Sequence, residues 1–230
     1  MATESPWAIL LDRIARTALF YSPLRSFSLY KYRYAFTPNQ LRQLLDLVDE
    51  ALHADGDFIE IGCYRGYTTV FLNRHLNEVA PDRRYHVLDT FGGFTSASVQ
   101  AEVAGRGKAS GDRAFAKFTN NSSRRFEATL ALNGIERVTV TTGDICQTPL
   151  PPDARYCFAL IDVDLYLPTQ AALAAIWPRL APGGVIVVDD CQADHVYDGS
   201  RQALTEFCER EGLEFELIAF KLGVLRKPHS

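Results

Sequence analysis

Acidic side chains close five short apolar stretches that we predict to be β-strands. They are Glu60, Asp89, Asp144, Asp162 and the pair Asp189 and Asp190. Ligands of an open α/β sheet bind at the carboxyl ends of its strands, so these residues should share one site. Asp162, Asp189 and Asp190 would repel one another there unless a cation or hydrogen bonds intervened. Hard oxygen ligands of this kind suit Mg²⁺ or Ca²⁺. The alternative is that one or two of them cap helices or orient substrate hydroxyls.

The first of these strands runs into a glycine-bearing turn and a helix. Gly62 and Gly66 allow positive φ and close backbone approach, and Thr68 and Thr69 stand at a predicted helix N-terminus, where free N–H groups can bind a polar ligand. The glycine spacing differs from the dinucleotide fingerprint. A carboxylate at Glu60 would repel a pyrophosphate but suits an ammonium or sulfonium group, such as the methionine end of S-adenosylmethionine. An ordinary strand-to-helix turn is the alternative.

Two further strand ends fit a nucleoside ligand. Asp89 closes the second strand 27 residues after Gly62, where βαβ units hold ribose hydroxyls. Its alternative role is to cap the following turn. Asp144, after the third strand, is placed to meet an adenine amino group.

Composition excludes several classes of protein. The 230 residues are 47% apolar, and the net charge of −4 disfavours a nucleic-acid binder, so we expect a small or neutral substrate. The five cysteines form no Cys-x-x-Cys pair and indicate reduced thiols. The apolar stretch Trp7 to Leu11 is too short to span a membrane, and the cytoplasm is the expected compartment.

The element pattern predicts an α/β fold: a Rossmann-like sheet of seven strands with a C-terminal antiparallel hairpin. The strands at 214–219 and 221–226 are too close in sequence to be parallel neighbours. Residues 55–230 would form this domain, with a lid insertion at 91–125. Residues 1–54 would be a helical extension rather than an independent domain. Its first helix would pack on the domain or on a second subunit of a homo-oligomer.

Four segments together resemble the motif set of the macrocin-type O-methyltransferases, a family of class I S-adenosylmethionine-dependent enzymes. These segments are 58–66, 89–94, 161–166 and 182–190. The resemblance implies a methyltransferase, often magnesium-dependent, that methylates sugar hydroxyls of natural products such as macrolides and aminocoumarins. It also implies that Glu60 to Gly66 and Asp89 hold the methyl donor, and that Asp162, Asp189 and Asp190 bind the metal.

The complete set of cofactor candidates combines the motif residues with their neighbours. It consists of Glu60, Gly62, Cys63, Gly66, Thr68, Thr69, Asp89, Thr90, Phe91, Asp144, Ile145 and Asp162. Asp162 is the favoured proton acceptor from its strand-end position, with His195 as the second choice because its ordinary pKa is near neutrality. The family's best-known members carry Tyr where this chain has Cys191.

Four other functions remain open at this stage. They are N-methylation, a nicotinamide-dependent oxidation, methylation of nucleic acid, and ligand binding without catalysis. The C-terminal hairpin counts against the oxidoreductase, and the acidic composition counts against a nucleic-acid substrate.

Overall fold

The computed structural model describes residues 6–25, 32–109, 113–193 and 195–229. The chain divides into two compact units, 1–35 and 36–230. The first unit contains helix α1 (Pro6–Phe20). Helix α2 (Pro38–Ala51), grouped above with the extension, lies in the second unit. No described helix is long and apolar enough to cross a lipid bilayer.

The second unit is built on one seven-stranded sheet with the strand order β3-β2-β1-β4-β5-β7-β6. Its strands are β1 (Asp57–Ile61), β2 (Tyr85–Asp89), β3 (Val138–Thr142), β4 (Tyr156–Ile161), β5 (Leu180–Val188), β6 (Glu216–Ile218) and β7 (Leu222–Arg226). Strands β1 to β5 are parallel, whereas β7 runs antiparallel to both β5 and β6. This arrangement confirms the predicted fold with its C-terminal hairpin.

In the described part of the chain, five α-helices connect the strands. They are α3 (Tyr67–Val79), α4 (Ser96–Gln100), α5 (Ser123–Leu132), α6 (Tyr166–Ile176) and α7 (Gly199–Glu211). Strand β4 is buried along its whole length, as expected of a central parallel strand covered on both faces. Helix α2 begins with a capping box, formed by the side chains of Thr37 and Gln40, and with Pro38 as its first residue.

Strand β5 has an irregular first part. The sequence Pro-Gly-Gly at 182–184 is typical of a turn, but the strand already starts at Leu180. Tyr156 of β4 pairs with Leu180, and Phe158 pairs with Val185, so β5 takes up extra residues in an irregular stretch between these two pairs. Gly183, with φ +77°, lies in that stretch. The Pro-Gly-Gly sequence therefore produces a bulge in the strand rather than an end to it.

The interval 91–125 is largely folded. Helix α4 continues into a π-helical turn (Ala101–Gly105), and a 3₁₀ turn (Arg113–Ala116) follows; residues 110–112 lie outside the described part of the chain. Its aromatic side chains Phe94, Phe115 and Phe118 pack against the buried Leu165 and Tyr197. Whether this interval acts as a lid stays a prediction.

Candidate active site

Strand register aligns four candidate positions in one row. Leu88 pairs with Ile61, Ile61 pairs with Ile161, and Ile161 pairs with Val188. The residues that follow these four are Asp89, Gly62, Asp162 and Asp189, in the same order across the sheet. The ladder continues through them, since the amides of Asp162 and Asp189 donate to the carbonyls of Ile61 and Ile161 at 2.8 and 2.9 Å. We call these four residues the strand-end row.

The backbone beyond this row is strained. Four non-glycine residues that follow β1, β2, β4 and β5 have positive φ: Tyr64 (45°), Phe91 (52°), Asp164 (63°) and Asp190 (56°). The left-handed conformation costs about 1–2 kcal/mol for a residue with a Cβ atom, and residues of this kind cluster at functional sites. The conformations therefore mark the carboxyl edge of the sheet as the place to look for chemistry.

The two glycines of the first turn are required by close packing. A Cβ atom on Gly62 would lie 2.0 Å from the carbonyl oxygen of Asp162, and φ of Gly62 is +83°. Gly66 precedes α3 with φ +79°, and a Cβ atom there would lie 2.8 Å from Cε2 of Phe126. The turn after β1 is thus pressed against the end of β4 on one side and against α5 on the other.

Asp89 organises this turn through its carboxylate. Its Oδ2 accepts hydrogen bonds from the amides of Cys63 and Tyr64, both at 2.8 Å, and its Oδ1 accepts one from the amide of Phe91 at 2.6 Å. A carboxylate has about four acceptor positions, so about one remains, on Oδ1. The turn-capping role is therefore present, and a contact with a ribose hydroxyl is still available to Asp89.

Glu60 points into the core of the second unit. The residue is 1% exposed, and its Oε2 accepts hydrogen bonds from the hydroxyls of Thr69 at 2.6 Å and Tyr85 at 3.0 Å. Burial raises the pKa of Glu60 from 4.5 to about 7, against the lowering effect of these two hydroxyls. The hydroxyl of Thr69 is thereby occupied, whereas Thr68 beside it is half-buried. The structure gives Glu60 a role in joining β1, β2 and α3.

The remaining cofactor candidates lie in the loops that follow β2 and β3. Thr90 donates its hydroxyl to the carbonyl of Gly93 at 2.7 Å, and the buried Phe91 packs on the ring of Phe126. Asp144 accepts a hydrogen bond from the amide of Cys146 at 2.9 Å, and Ile145 is buried in the core. Burial raises the pKa of the Cys63 thiol well above its ordinary value, which favours the protonated thiol over the thiolate.

Four aspartates meet beyond β4 and β5, and we call them the carboxylate cluster: Asp162, Asp164, Asp189 and Asp190. Loss of hydration, and then the charge of Asp189, raise the pKa of Asp162. Loss of hydration also raises the pKa of Asp164, and its neighbours Asp162 and Asp190 raise it further. Burial raises the pKa of Asp189 to about 6. The cluster carries more negative charge than its surroundings favour.

A lysine that the sequence analysis did not single out lies in this cluster. The ammonium Nζ of Lys221 is 2.5 Å from Oδ2 of Asp189 and 3.4 Å from Oδ1 of Asp190. Lys221 precedes β7, which runs antiparallel to β5, so its position beside the end of β5 followed from the predicted hairpin. A search for cations at that hairpin turn could have found it.

The donor chemistry of the cluster fits a divalent cation. Asp189 is 3% exposed, and its Oδ1 is buried without a hydrogen-bond partner in the described part of the chain. An unsatisfied buried carboxylate oxygen is costly, and Mg²⁺ takes such hard oxygen ligands. As the side chains stand, however, no three described His, Cys, Asp or Glu residues surround a common point suited to a metal ion.

His195 lies apart from the described contacts of the cluster, in the loop between β5 and α7. Its Nδ1 accepts a hydrogen bond from the amide of Tyr197 at 3.3 Å. A neutral imidazole that accepts at Nδ1 carries its proton on Nε2. In this tautomer Nε2 is a donor rather than a base.

The insertion is fastened to the site by Glu102, which sequence reasoning missed. Glu102 is 0% exposed, accepts a hydrogen bond from the amide of Tyr166 at 2.7 Å and pairs with Arg106. Arg106 in turn pairs with Asp198 at 2.7 Å, and Lys108 pairs with the same carboxylate at 2.8 Å. We call these four charged residues the insertion clamp. It joins the insertion to the first residues of α6 and α7.

The sheet order, the antiparallel hairpin and the strand-end row define a class I methyltransferase fold. Within that class, the chain belongs to the macrocin-O-methyltransferase (TylF) family, whose model matches residues 35–223. The description of that family is that of an O-methyltransferase.

Two curated relatives and one solved structure illustrate the likeness. The chain is 28% identical over 167 residues to the Streptomyces olivaceus 8-demethyl-8-(2,3-dimethoxy-alpha-L-rhamnosyl)-tetracenomycin-C 4'-O-methyltransferase; the match covers 69% of this chain and 60% of that protein. It is 26% identical over 185 residues to the Micromonospora griseorubida mycinamicin III 3''-O-methyltransferase, covering 78% and 71%. The structure of the O-methyltransferase NovP superposes with a TM-score of 0.67 at 23% identity, over 82% and 79% of the two chains.

Proposed function

We propose that this chain is an S-adenosylmethionine-dependent O-methyltransferase that acts on a sugar hydroxyl of a glycosylated small-molecule natural product. The observation that carries the proposal is the strand-end row, which sets the candidate cofactor turn directly beside the carboxylate cluster. The printed activities of the two relatives support the acceptor class, because both are named as O-methyltransferases of glycosylated compounds.

The cofactor would lie over the turn after β1. Asp89 holds the amides of Cys63 and Tyr64 in place and keeps about one acceptor position for a ribose hydroxyl. Gly62 and Gly66, both at positive φ, let this turn pack closely against the end of β4 and against α5. Asp144 follows β3, beside β2 in the sheet, and would face the adenine end.

Methyl transfer to an alcohol needs alignment and a proton acceptor. S-adenosylmethionine, when bound, supplies a methyl group already activated by its sulfonium. Asp162 would accept the hydroxyl proton, because it directly follows β4, next to Gly62 of the candidate cofactor turn. His195 is the weaker candidate, because it lies in the loop between β5 and α7 and its Nδ1 accepts a hydrogen bond from the amide of Tyr197.

Magnesium is part of this proposal. Asp162, Asp189 and Asp190 would hold the ion, and the unpartnered Oδ1 of Asp189 supports that assignment. A bound divalent cation lowers the pKa of a hydroxyl near it.

The decisive test is a calorimetric titration of the protein with S-adenosylhomocysteine, with and without Mg²⁺. Micromolar affinity supports the proposal and justifies a screen of glycosylated acceptors, in which matched amino sugars distinguish O-methylation from N-methylation. No detectable binding would leave the chain as a binding module that retains the fold.

Asp162→Asn separates the chemistry from cofactor binding. We expect turnover of an accepted substrate to fall by about 10²–10⁴-fold, as for loss of a general base. Affinity for S-adenosylhomocysteine should stay nearly unchanged. Turnover close to that of the parent protein would remove Asp162 from its assigned role.

A further inference from the structure

The end of the β6–β7 hairpin is fixed at the carboxylate cluster by three backbone features. Val188 of β5 pairs with Gly223 of β7, which brings the turn to the end of β5. The amide of Cys191 donates to the carbonyl of Lys221 at 2.7 Å. The side-chain amide of Gln40 donates to the carbonyl of Ala219 at 3.1 Å. Lys221 therefore enters the cluster from a held position.

The Lys221 side chain is confined as well as charged. It is 16% exposed, and its Nζ lies 4.6 Å from the centroid of the Phe36 ring. A cation close to both an aromatic ring and carboxylates is attracted by both. Few alternative positions of similar energy are open to this ammonium group.

The ammonium group and a divalent cation would bind the same two carboxylates, those of Asp189 and Asp190. Nζ of Lys221 lies at 2.5 Å from Oδ2 of Asp189, whereas Oδ1 of the same carboxylate is buried and unpartnered. Mg²⁺ binds carboxylate oxygens at about 2.0–2.1 Å, so an ion on Asp189 and Asp190 would stand within a few ångströms of the ammonium charge. At that separation two positive charges repel strongly.

We propose that Lys221 is a built-in counter-cation of the carboxylate cluster, which neutralises Asp189 and Asp190 in the metal-free protein and competes with a divalent cation for them. The inference rests on the magnesium part of the proposed function. In the described structure Nζ of Lys221 is paired with one oxygen of Asp189 and lies near one of Asp190. Lys221 is accordingly a residue that sets metal affinity, rather than one that contacts substrate.

The test is a direct measurement of Mn²⁺ and Mg²⁺ affinity on the full chain, by electron paramagnetic resonance and calorimetry at constant ionic strength and without acceptor. Lys221→Gln removes the charge but keeps a hydrogen-bond donor, Lys221→Met removes both, and Lys221→Arg keeps the charge. We expect the Gln and Met variants to bind Mn²⁺ at least about tenfold more tightly than the parent, and the Arg variant to stay within about threefold of it.

Lys227→Gln is the matched control. Lys227 lies just after β7, at the end of the hairpin remote from the cluster, and donates to the carbonyls of Trp177 and Leu180. This variant changes the net charge by the same amount and should leave Mn²⁺ affinity unchanged. Equal affinities in all five proteins, weaker binding by the Gln variant, or no metal binding in any of them would each overturn the proposal.

A parallel titration with S-adenosylhomocysteine separates this inference from the proposed function. If the parent protein binds the cofactor but substitution of Lys221 does not change the metal affinity, only the counter-cation proposal is refuted. If the parent protein does not bind S-adenosylhomocysteine, the methyltransferase assignment is refuted. In EDTA the Met variant should also melt below the parent, because its carboxylates lose their neutralising charge.

Discussion

Glu60 is a buried acid whose ionisation opposes folding. Its pKa is raised from 4.5 to about 7, so between these values the folded protein keeps a proton that the unfolded chain has lost. Stability from this group is complete below about pH 4.5 and is lost as the pH rises through about 7. The difference amounts to about 3 kcal/mol at most.

Glu60→Gln should therefore change the pH dependence of stability. The amide cannot ionise, so we expect the variant to gain stability relative to the parent protein on going from pH 5 to pH 8, by up to about 3 kcal/mol. Urea unfolding at several pH values measures this difference. The exposed Glu209→Gln is the control and should follow the parent. If the stability of the parent and of Glu60→Gln changed with pH in the same way, the raised pKa of the buried Glu60 carboxyl would be contradicted.

Gly62 and Gly134 separate backbone strain from collision. Both have positive φ, but only Gly62 faces an obstacle, the carbonyl oxygen of Asp162 at 2.0 Å; nothing lies within 4 Å at Gly134. Gly62→Ala should destabilise the protein by at least about 3 kcal/mol, and Gly134→Ala by about 1–2 kcal/mol. Denaturant unfolding checks both. Equal costs would show that the turn can move away from β4.

At the scale of elements, the insertion clamp makes a local prediction. Glu102→Ala removes the acceptor for the amide of Tyr166 and the buried partner of Arg106, so we expect a loss of about 2–4 kcal/mol. Hydrogen exchange at residues 96–109 and at the start of α6 should speed up together. Lys108→Ala is the comparison. In this variant Asp198 still pairs with Arg106, so we expect the free energy of unfolding to fall by less than about 1 kcal/mol. Unchanged exchange in Glu102→Ala would mean that the apolar contacts alone hold the insertion.

The elements that sequence predicted well are those set by local pattern. The apolar strand β4 and the tight connection between β6 and β7 are both readable within a few residues. The fold of the insertion could not be predicted from local sequence, because Glu102 is held by the amide of Tyr166, 64 residues further along the chain. The bulged start of β5 depends likewise on its pairing with β4.

The candidate site divides in the same way. Strand-end carboxylates were predictable because parallel strands share one carboxyl edge. The direction of the side chains was not predictable, because whether Glu60 faces a ligand or the core depends on its hydrogen bonds with Thr69 and Tyr85. The pairing of Asp189 with Lys221 could be predicted only from the register of β7 on β5, which places Lys221 beside the end of β5.

For the molecule as a whole, all seven strands lie within the second unit, together with the strand-end row and the carboxylate cluster. A chain that starts at Phe36 should therefore fold cooperatively by itself. We expect its melting temperature to stay within about 4 °C of that of the full chain, which corresponds to about 1 kcal/mol. Calorimetry measures this, with S-adenosylhomocysteine binding as the second readout. A broad, non-cooperative transition would show that residues 1–35 are needed for folding.

The left-handed residues after β1, β2, β4 and β5 have a consequence for protein engineering. Each non-glycine residue in that conformation holds about 1–2 kcal/mol of strain, so glycine or asparagine at Tyr64 or Asp164 is an obvious thermostabilising substitution. The same substitutions would remove the side chains and the rigidity nearest the chemistry. A screen that selects for heat resistance alone would thus be drawn to these positions and would discard activity there, whereas one directed at the opposite edge of the sheet would not face that conflict.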